Sequence, residues 1–264
     1  MLNRTTLLGG VCALALSAIP FTSAMAAAPM PFAGTFSGDY SNLSCSGCSN
    51  ANVWGLNGAG AFGFGSAPVG AEVTAGYHNL SGGGTSGDMW NIGGSVYWAP
   101  AFGRVGGTVN YNSLTSSGFN PTFTTYGGFG EFFAGNVITV GVKAGGLSGG
   151  GDASGTGAYV GGALTGYVIP NLAVMGNIDY MEDNSGFHIT NYGINAEFQV
   201  SEMVPLAIYG GYTNTHFSGG GPSVNQWTIG VRFYLSPTPM TLVEHHRNGT
   251  LGWVSQVNLL GAAF

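Results

Sequence analysis

The sequence has very few charged side chains for its length. Asp, Glu, Lys and Arg make up 6% of its 264 residues, against roughly a quarter in an ordinary soluble domain. Beyond the first 26 residues it also lacks any run that approaches the ~20 continuous apolar residues of a membrane helix. Yet 44% of the residues are hydrophobic, and they are spread in alternation. Such a chain can span lipid only as a closed β-barrel, in which every backbone group is paired internally.

Cations are scarce as well. The chain has 5 Lys+Arg and 11 Asp+Glu, and only Arg4 of these lies in the first 26 residues, so the remainder carries 4 minus 11, or −7. This balance argues against nucleic acid as a partner.

Cysteine is nearly absent too, with 3 residues in the chain. Cys12 lies in the first segment, which leaves Cys45 and Cys48. In an exported protein this pair predicts a disulfide that ties one loop. The spacing alone also allows a redox-active site or half of a metal site, but no strand and helix flank the loop and no second cysteine pair exists.

The first 26 residues have the pattern of a secretory signal peptide. Arg4 supplies a basic start, residues 7–19 an apolar core, and Ala24-Met25-Ala26 a small-residue cleavage site. Because the apolar core is too short for a stable membrane anchor, we expect cleavage after about Ala26 and export.

The stretch from Asn225 to Leu235 shows the alternation most clearly. One set of its side chains is apolar or aromatic, and the other carries a cation, hydroxyls and a glycine. The sets are Trp227, Ile229, Val231, Phe233 and Leu235, and Thr228, Gly230, Arg232 and Tyr234. Since successive strand residues point to opposite faces, this strand has either a core side and a solvent side, or a lipid side and a polar lumen side.

About twelve such segments of roughly ten residues follow one another between Phe32 and Leu235. They are 32–40, 53–64, 69–80, 89–98, 104–111, 122–133, 137–144, 158–169, 172–181, 188–200, 204–213 and 224–235. Short connections, often with proline, alternate with longer ones rich in Gly, Ser, Asn and Asp. Outer-membrane barrels have short periplasmic turns and longer external loops, so the short set predicts the periplasmic rim. We therefore expect residues 27–235 to form an all-β, antiparallel, transmembrane up-and-down β-barrel of about 12 strands, with 14 or fewer than 12 as alternatives.

The leader, the alternating segments, the two kinds of connection and the strand that ends Gly230-Val-Arg-Phe-Tyr-Leu235 resemble the porin-like outer-membrane β-barrel proteins of Gram-negative bacteria. The resemblance covers Phe32 to Leu235 at the level of pattern. It implies a cell outer membrane location, contact with outer-membrane lipid and lipopolysaccharide, and recognition of the last strand by the barrel assembly machinery. In that family the last strand usually ends the chain, whereas residues 236–264 follow here.

Those last residues are predicted to be a periplasmic tail. Asn248-Gly249 is a tight-turn signal, so 240–246 and 250–260 form an alternative hairpin that would raise the count to about fourteen strands. The polar run 244–247 fits lipid badly, and 257–264 does not alternate.

Seven charged side chains fall on the lumen side if the apolar face of each segment looks outward. These pore-lining candidates are Glu72, Arg104, Glu131, Lys143, Asp179, Glu197 and Arg232. On the lipid face a charge would cost roughly 2 to 4 kcal/mol at mid-bilayer. The charges either form a constriction that selects ions, with a modest preference for cations, or an internal ion-pair network that plugs the barrel.

Three functions fit this pattern. The first is a porin-like channel for passive diffusion of small hydrophilic solutes or ions, with no cofactor or metal and no enzymatic activity. The second is a closed structural or surface-recognition barrel of the adhesin type, which works through its glycine- and serine-rich loops. The third is a lipid hydrolase, because His216, Ser218 and Asn225 provide a nucleophile and a nearby base, although nothing in the sequence orders them.

Overall fold

A computed structural model describes residues 31–45, 49–82, 85–116, 120–219, 221 and 223–252. It contains twelve strands, and each is paired antiparallel with its neighbours in sequence. They are β1 (Phe32–Cys45), β2 (Ala51–Gly63), β3 (Val69–Gly82), β4 (Thr85–Trp98), β5 (Gly103–Ser116), β6 (Pro121–Ala134), β7 (Ile138–Gly151), β8 (Gly155–Ile169), β9 (Leu172–Asp183), β10 (His188–Ser201), β11 (Val204–Phe217) and β12 (Ser223–Leu235). β1 also pairs with β12, from Gly34↔Leu235 to Cys45↔Val224, and so closes the barrel. The predicted all-β up-and-down barrel of about twelve strands is confirmed.

Side chains alternate between the two surfaces of the barrel as the sequence predicts. On β12, Trp227 and Ile229 are each 63% exposed on the outside, while Tyr234 is 3% exposed on the inside. The same pattern on the other strands gives an apolar outer surface suited to lipid and leaves the polar residues facing the lumen.

The predicted contrast between short and long connections is wrong. Connections at both ends of the barrel are between two and five residues long, because the strands continue through the glycine- and serine-rich stretches. β7, for example, stays paired with β6 as far as Pro121↔Gly151. A glycine contributes the same backbone N–H and C=O to a ladder as any residue, so these stretches extend the sheet. We call the end that holds Phe32 and Leu235 the terminal rim, and the other end the opposite rim.

The described part of the tail contains a helix and not the alternative hairpin strand, and its periplasmic location stays a prediction. A short helix, α1 (Leu242–Asn248), follows β12 and lies inside the terminal end of the barrel. A capping box begins it: Glu244 N donates to Thr241 Oγ1 at 3.3 Å, and Thr241 N donates to Glu244 Oε2 at 2.8 Å. The predicted strand 240–246 is therefore wrong, and a fourteen-stranded barrel with it, because this reciprocal cap favours a helix. Residues 253–264, like the predicted leader 1–26, lie outside the described residues.

No helix in the described ranges has the length and hydropathy that a membrane-spanning helix needs.

Candidate functional site

Glycines face the lumen near the middle of seven strands, and we call them the inner glycines. They are Gly55, Gly76, Gly93, Gly161, Gly193, Gly211 and Gly230. A Cβ added at Gly211 would lie 1.9 Å from Asn195 Oδ1, and one at Gly161 would lie 2.0 Å from Asp179 Oδ1. Polar side chains of the flanking strands therefore lie flat over the inner glycines, along the wall of the barrel and not across its lumen.

Asp39 is the centre of one such flat network. Its Oδ2 accepts hydrogen bonds from Asn57 Nδ2 and from Tyr209 OH, both at 3.1 Å. Asp39 reaches Asn57 on the neighbouring β2 and, across β12, Tyr209 on β11, because Gly55 and Gly230 leave room. Sequence reasoning missed Asp39 as an inward residue, although it stands opposite a glycine on each neighbouring strand.

The seven charged candidates all project into the lumen, and six of them form three ion pairs. Lys143 Nζ lies 3.1 Å from Asp179 Oδ1 over Gly161, with both side chains nearly buried. The other two pairs are Arg104 with Glu131 and Arg232 with Glu197, each at 2.5 Å. A constriction that selects ions and an internal ion-pair network both need inward side chains. The observed pairing favours the ion-pair network. Ion selection by these residues stays a prediction.

The C-terminal segment crosses the lumen at the level of Arg104 and Glu72, and we call residues 240–252 the plug. Arg104 donates from Nη1 to Gly249 O at 2.9 Å and from Nη2 to His246 O at 2.6 Å. A guanidinium at this place satisfies carbonyls at the end of α1 and complements the negative end of the helix dipole. On another strand, Glu72 Oε2 accepts from Leu251 N at 2.5 Å.

Further polar contacts hold the plug at the terminal rim. Gln199 Nε2 donates to Met240 O at 2.9 Å. Arg247 donates to the carbonyls of Gly135 and Ile138 in the β6–β7 turn region, and its guanidinium lies 4.9 Å from the ring centroid of Phe133. The cations of the described residues therefore lie either on the lumen side of strands or in the plug at the terminal rim. They are Arg104, Lys143 and Arg232 on strands and Arg247 in the plug.

Apolar contacts fix the plug at two opposite parts of the wall. Leu242 is fully buried in a cluster with side chains of β8, β9, β11 and β12, which are Tyr167, Ala173, Ala207 and Tyr234. Leu251 is 2% exposed and packs with Tyr97 of β4 and Phe129 of β6. Because these clusters lie on different sides of the barrel, the plug spans its width.

Two histidines of the plug, His245 and His246, lie beside Tyr234 of β12. The rings of His245 and Tyr234 stack with centroids 4.1 Å apart, and His246 Nε2 lies 3.2 Å from Tyr234 OH. Burial, and then the neighbouring His246, lower the pKa of His245 to about 4, against the opposing effect of Glu244 and Glu197. The docked plug therefore keeps His245 neutral at pH 7.

Apolar side chains of the wall cluster on the lumen side near the opposite rim, and we call them the apolar layer. One comes from each of seven consecutive strands around the barrel, β8 to β12 followed by β1 and β2: Tyr159, Met181, Ile189, Phe217, Val224, Leu43 and Val53. They are between 1% and 9% exposed, and Leu80, Phe123 and Leu147 pack against them. The sequence pattern predicts a polar lumen, and this layer departs from it.

Beside the plug, within the lumen, lies a chamber of about 310 Å³. Its walls carry hydroxyl and amide groups, among them those of Thr35, Thr165 and Asn195. The plug contributes His246 and residues 250–252 to its floor. The described barrel thus contains a compartment whose wall offers polar groups beside apolar ones such as Ala59 and Met175.

The predicted hydrolase residues do not come together. Ser218 Oγ accepts from His188 N at 2.8 Å, whereas His216 Nδ1 lies 3.1 Å from Ser223 Oγ. Asn225 Oδ1 accepts hydrogen bonds from Tyr212 and Asn214. In the described part of the chain no three His, Cys, Asp or Glu side chains converge where a metal ion would bind.

The predicted disulfide involves a residue that is not described. Cys45 ends β1 and faces the lumen beside the apolar layer. Cys48 lies outside the described residues, so the pairing stays a prediction.

Comparison with known proteins identifies the fold. Neither a model of a protein family nor a protein of curated function matches the sequence. Among solved structures, an outer-membrane channel (COG4313) from Pseudomonas putida F1 is similar, with a TM-score of 0.59 and 13% identity over 83% of this chain and 100% of that one. The CymD monoaromatic hydrocarbon channel has a TM-score of 0.50 and 8% identity over 80% of this chain and 89% of that one. The β domain of the Bordetella autotransporter BrkA also has a TM-score of 0.50, with 10% identity over 77% and 99%. The predicted porin-like outer-membrane barrel fold is therefore confirmed, and at these identities the likeness extends to the fold alone.

Proposed function

We propose that the protein is an outer-membrane channel for passive diffusion of small hydrophilic solutes, and that the plug holds it closed. The observation that carries this proposal is that the plug takes no part in the β-ladder. β1 and β12 close the barrel without it, and the plug contacts the inner side of the wall. It can leave the lumen without breaking a strand pair.

The interior supports passage once the plug has left. The inner glycines let polar side chains lie along the wall, and the charged groups of the wall are paired with one another. Under this proposal a signal peptide of 26 residues is removed, and the terminal rim faces the periplasm. Outer-membrane lipid, lipopolysaccharide and the barrel assembly machinery are then the expected partners. No catalytic role is proposed.

Conductance in planar bilayers tests the proposal. The full-length chain should stay closed for most of the recording, whereas a chain that ends at Leu235 should conduct steadily. Both must first show the resistance to unfolding in cold detergent that a closed barrel has. A folded, truncated barrel without conductance would contradict the proposal as it stands.

The apolar layer supports a second candidate, a closed barrel that recognises ligands at the cell surface. A hydrophobic constriction can gate by dewetting, so it does not exclude a channel. Val53→Ser and Phe217→Ser in the truncated chain separate the two candidates. If these variants fold and still do not conduct, the barrel has no open passage, and the surface-recognition function replaces the channel function.

A further inference from the structure

We propose that the chamber is a binding site for one neutral, polyhydroxylated solute of about the size of a monosaccharide. The inference rests on the channel function proposed above and names the class of solute that it would carry. Three properties of the chamber support it: the neutrality of its free polar groups, its volume, and the rigidity of its wall.

Charged groups border the chamber, but each is bonded to the protein. Glu197 pairs with Arg232, Glu131 pairs with Arg104, and Glu72 accepts a backbone N–H of the plug. A charged solute would lose hydration on entering and would find no counter-charge that is not already engaged.

Hydroxyl and amide groups remain available to a ligand. Asn195, Thr35 and Thr165 line the chamber, and the structure shows no hydrogen bond from their side chains to another described residue. An amide offers donors and an acceptor, and a hydroxyl offers both functions in one group. This combination complements sugar hydroxyls, which also donate and accept, better than it complements an ion or a hydrocarbon.

The volume sets the size of the ligand. A chamber of about 310 Å³ holds roughly ten waters at ~30 Å³ each. It therefore accommodates about a dozen non-hydrogen atoms, as in a hexose, and lies at the small end of known ligand sites.

The inner glycines hold the wall groups in place. A Cβ at Gly211 would displace Asn195, and one at Gly230 would lie 2.5 Å from the ring of Tyr209. Side chains that lie flat on such glycines keep their polar atoms at fixed points around the chamber, which reduces the entropy that binding would cost.

Equilibrium dialysis of the full-length protein tests the inference. The barrel is folded in the presence of labelled glucose, so that access does not depend on the plug, and glucuronate and glucosamine serve as anionic and cationic analogues of the same shape. We expect saturable binding of one glucose per barrel, on the order of millimolar affinity, and at least tenfold weaker binding of both analogues. Equal or tighter binding of either analogue overturns the inference, as does the absence of saturable binding of glucose.

Matched variants locate the site. Thr165→Val and Asn195→Leu should each weaken glucose binding by about five- to tenfold, as expected for the loss of a hydrogen bond. Thr190→Val on the outward face of β10 and Asn52→Leu on the outward face of β2 make the same chemical changes away from the chamber and should leave binding unchanged. If all four variants bind glucose equally, the solute lies elsewhere and the inference is wrong.

The conductance experiment separates this inference from the channel itself. If the truncated chain conducts but the full-length protein does not bind glucose, the channel function is supported and the sugar site is refuted. If the full-length protein binds glucose but neither chain conducts, the channel function is refuted and the sugar site is supported.

Discussion

Replacing Leu242 by alanine should open the channel without weakening the barrel wall. Leu242 has no exposed surface and packs among Tyr167, Ala173, Ala207 and Tyr234. Truncation of a leucine in such a site costs about 3 to 5 kcal/mol, the sum of lost transfer energy and a residual cavity. Because Leu242 belongs to the plug and not to a strand, this cost falls on the docking of the plug.

The size of the effect follows directly. At about 1.4 kcal/mol per factor of ten, the docking equilibrium should shift by roughly two to four powers of ten towards the open form. The assay is the open fraction of single channels at a fixed voltage. Leu164→Ala is the matched control, since Leu164 is 55% exposed on the outer face of β8. If the two variants show the same open fraction while the chain that ends at Leu235 conducts, apolar packing does not hold the plug and our reasoning is refuted.

Acid should also open the channel, because docking depresses the pKa of His245 to about 4 from an undocked value near 6.5. Docking is then fully stable above about pH 6.5, and its free energy weakens by up to ~3 kcal/mol as the pH falls towards 4. The open fraction of the wild-type channel should therefore rise between pH 7 and 5. An equal rise in the His245→Gln channel would contradict this reasoning. Gly161→Ala should lower the free energy of unfolding in urea by about 1 to 3 kcal/mol, because its Cβ would lie 2.0 Å from Asp179 Oδ1. Gly166→Ala, where the nearest atom is 4.0 Å away, is the control, and equal losses in both variants would show that the inner glycine has no special role. Finally, the unheated protein should migrate as a compact species on a denaturing gel and shift on boiling; identical mobility before and after boiling would be inconsistent with a closed barrel.

The alternation of side chains was enough to predict the barrel. It gave the number of strands and the inward direction of all seven charged candidates, because a residue on the wrong face would place a charge in lipid. It did not give the lengths of the connections, since a stretch such as Gly145–Gly149 looks like a loop by composition and yet pairs on both sides. Composition describes side chains, whereas a ladder is formed by the backbone.

The plug was missed for a different reason. Thr241 and Glu244 carry the spacing of a capping box, but the prediction rested on Asn248-Gly249 alone, which indicates a hairpin turn. Gly249 instead follows the last helical residue and donates its N–H to His245 O. That the helix lies within the lumen depends on partners such as Arg104 and Glu72, which are more than 140 residues away in sequence. No local pattern contains that information.

The confinement of cations to the interior has a consequence for proteolysis. Trypsin cleaves after lysine and arginine, and in the described chain these are Arg104, Lys143 and Arg232 on strands and Arg247 in the plug. In the folded, plugged barrel the first three lie on paired strands and Arg247 is bonded to the β6–β7 turn region, so trypsin should cut the described chain slowly. Release of the plug exposes Arg247 while the other three remain in paired strands, so a single cut near the C-terminus marks an open channel and cuts at all four positions mark an unfolded barrel.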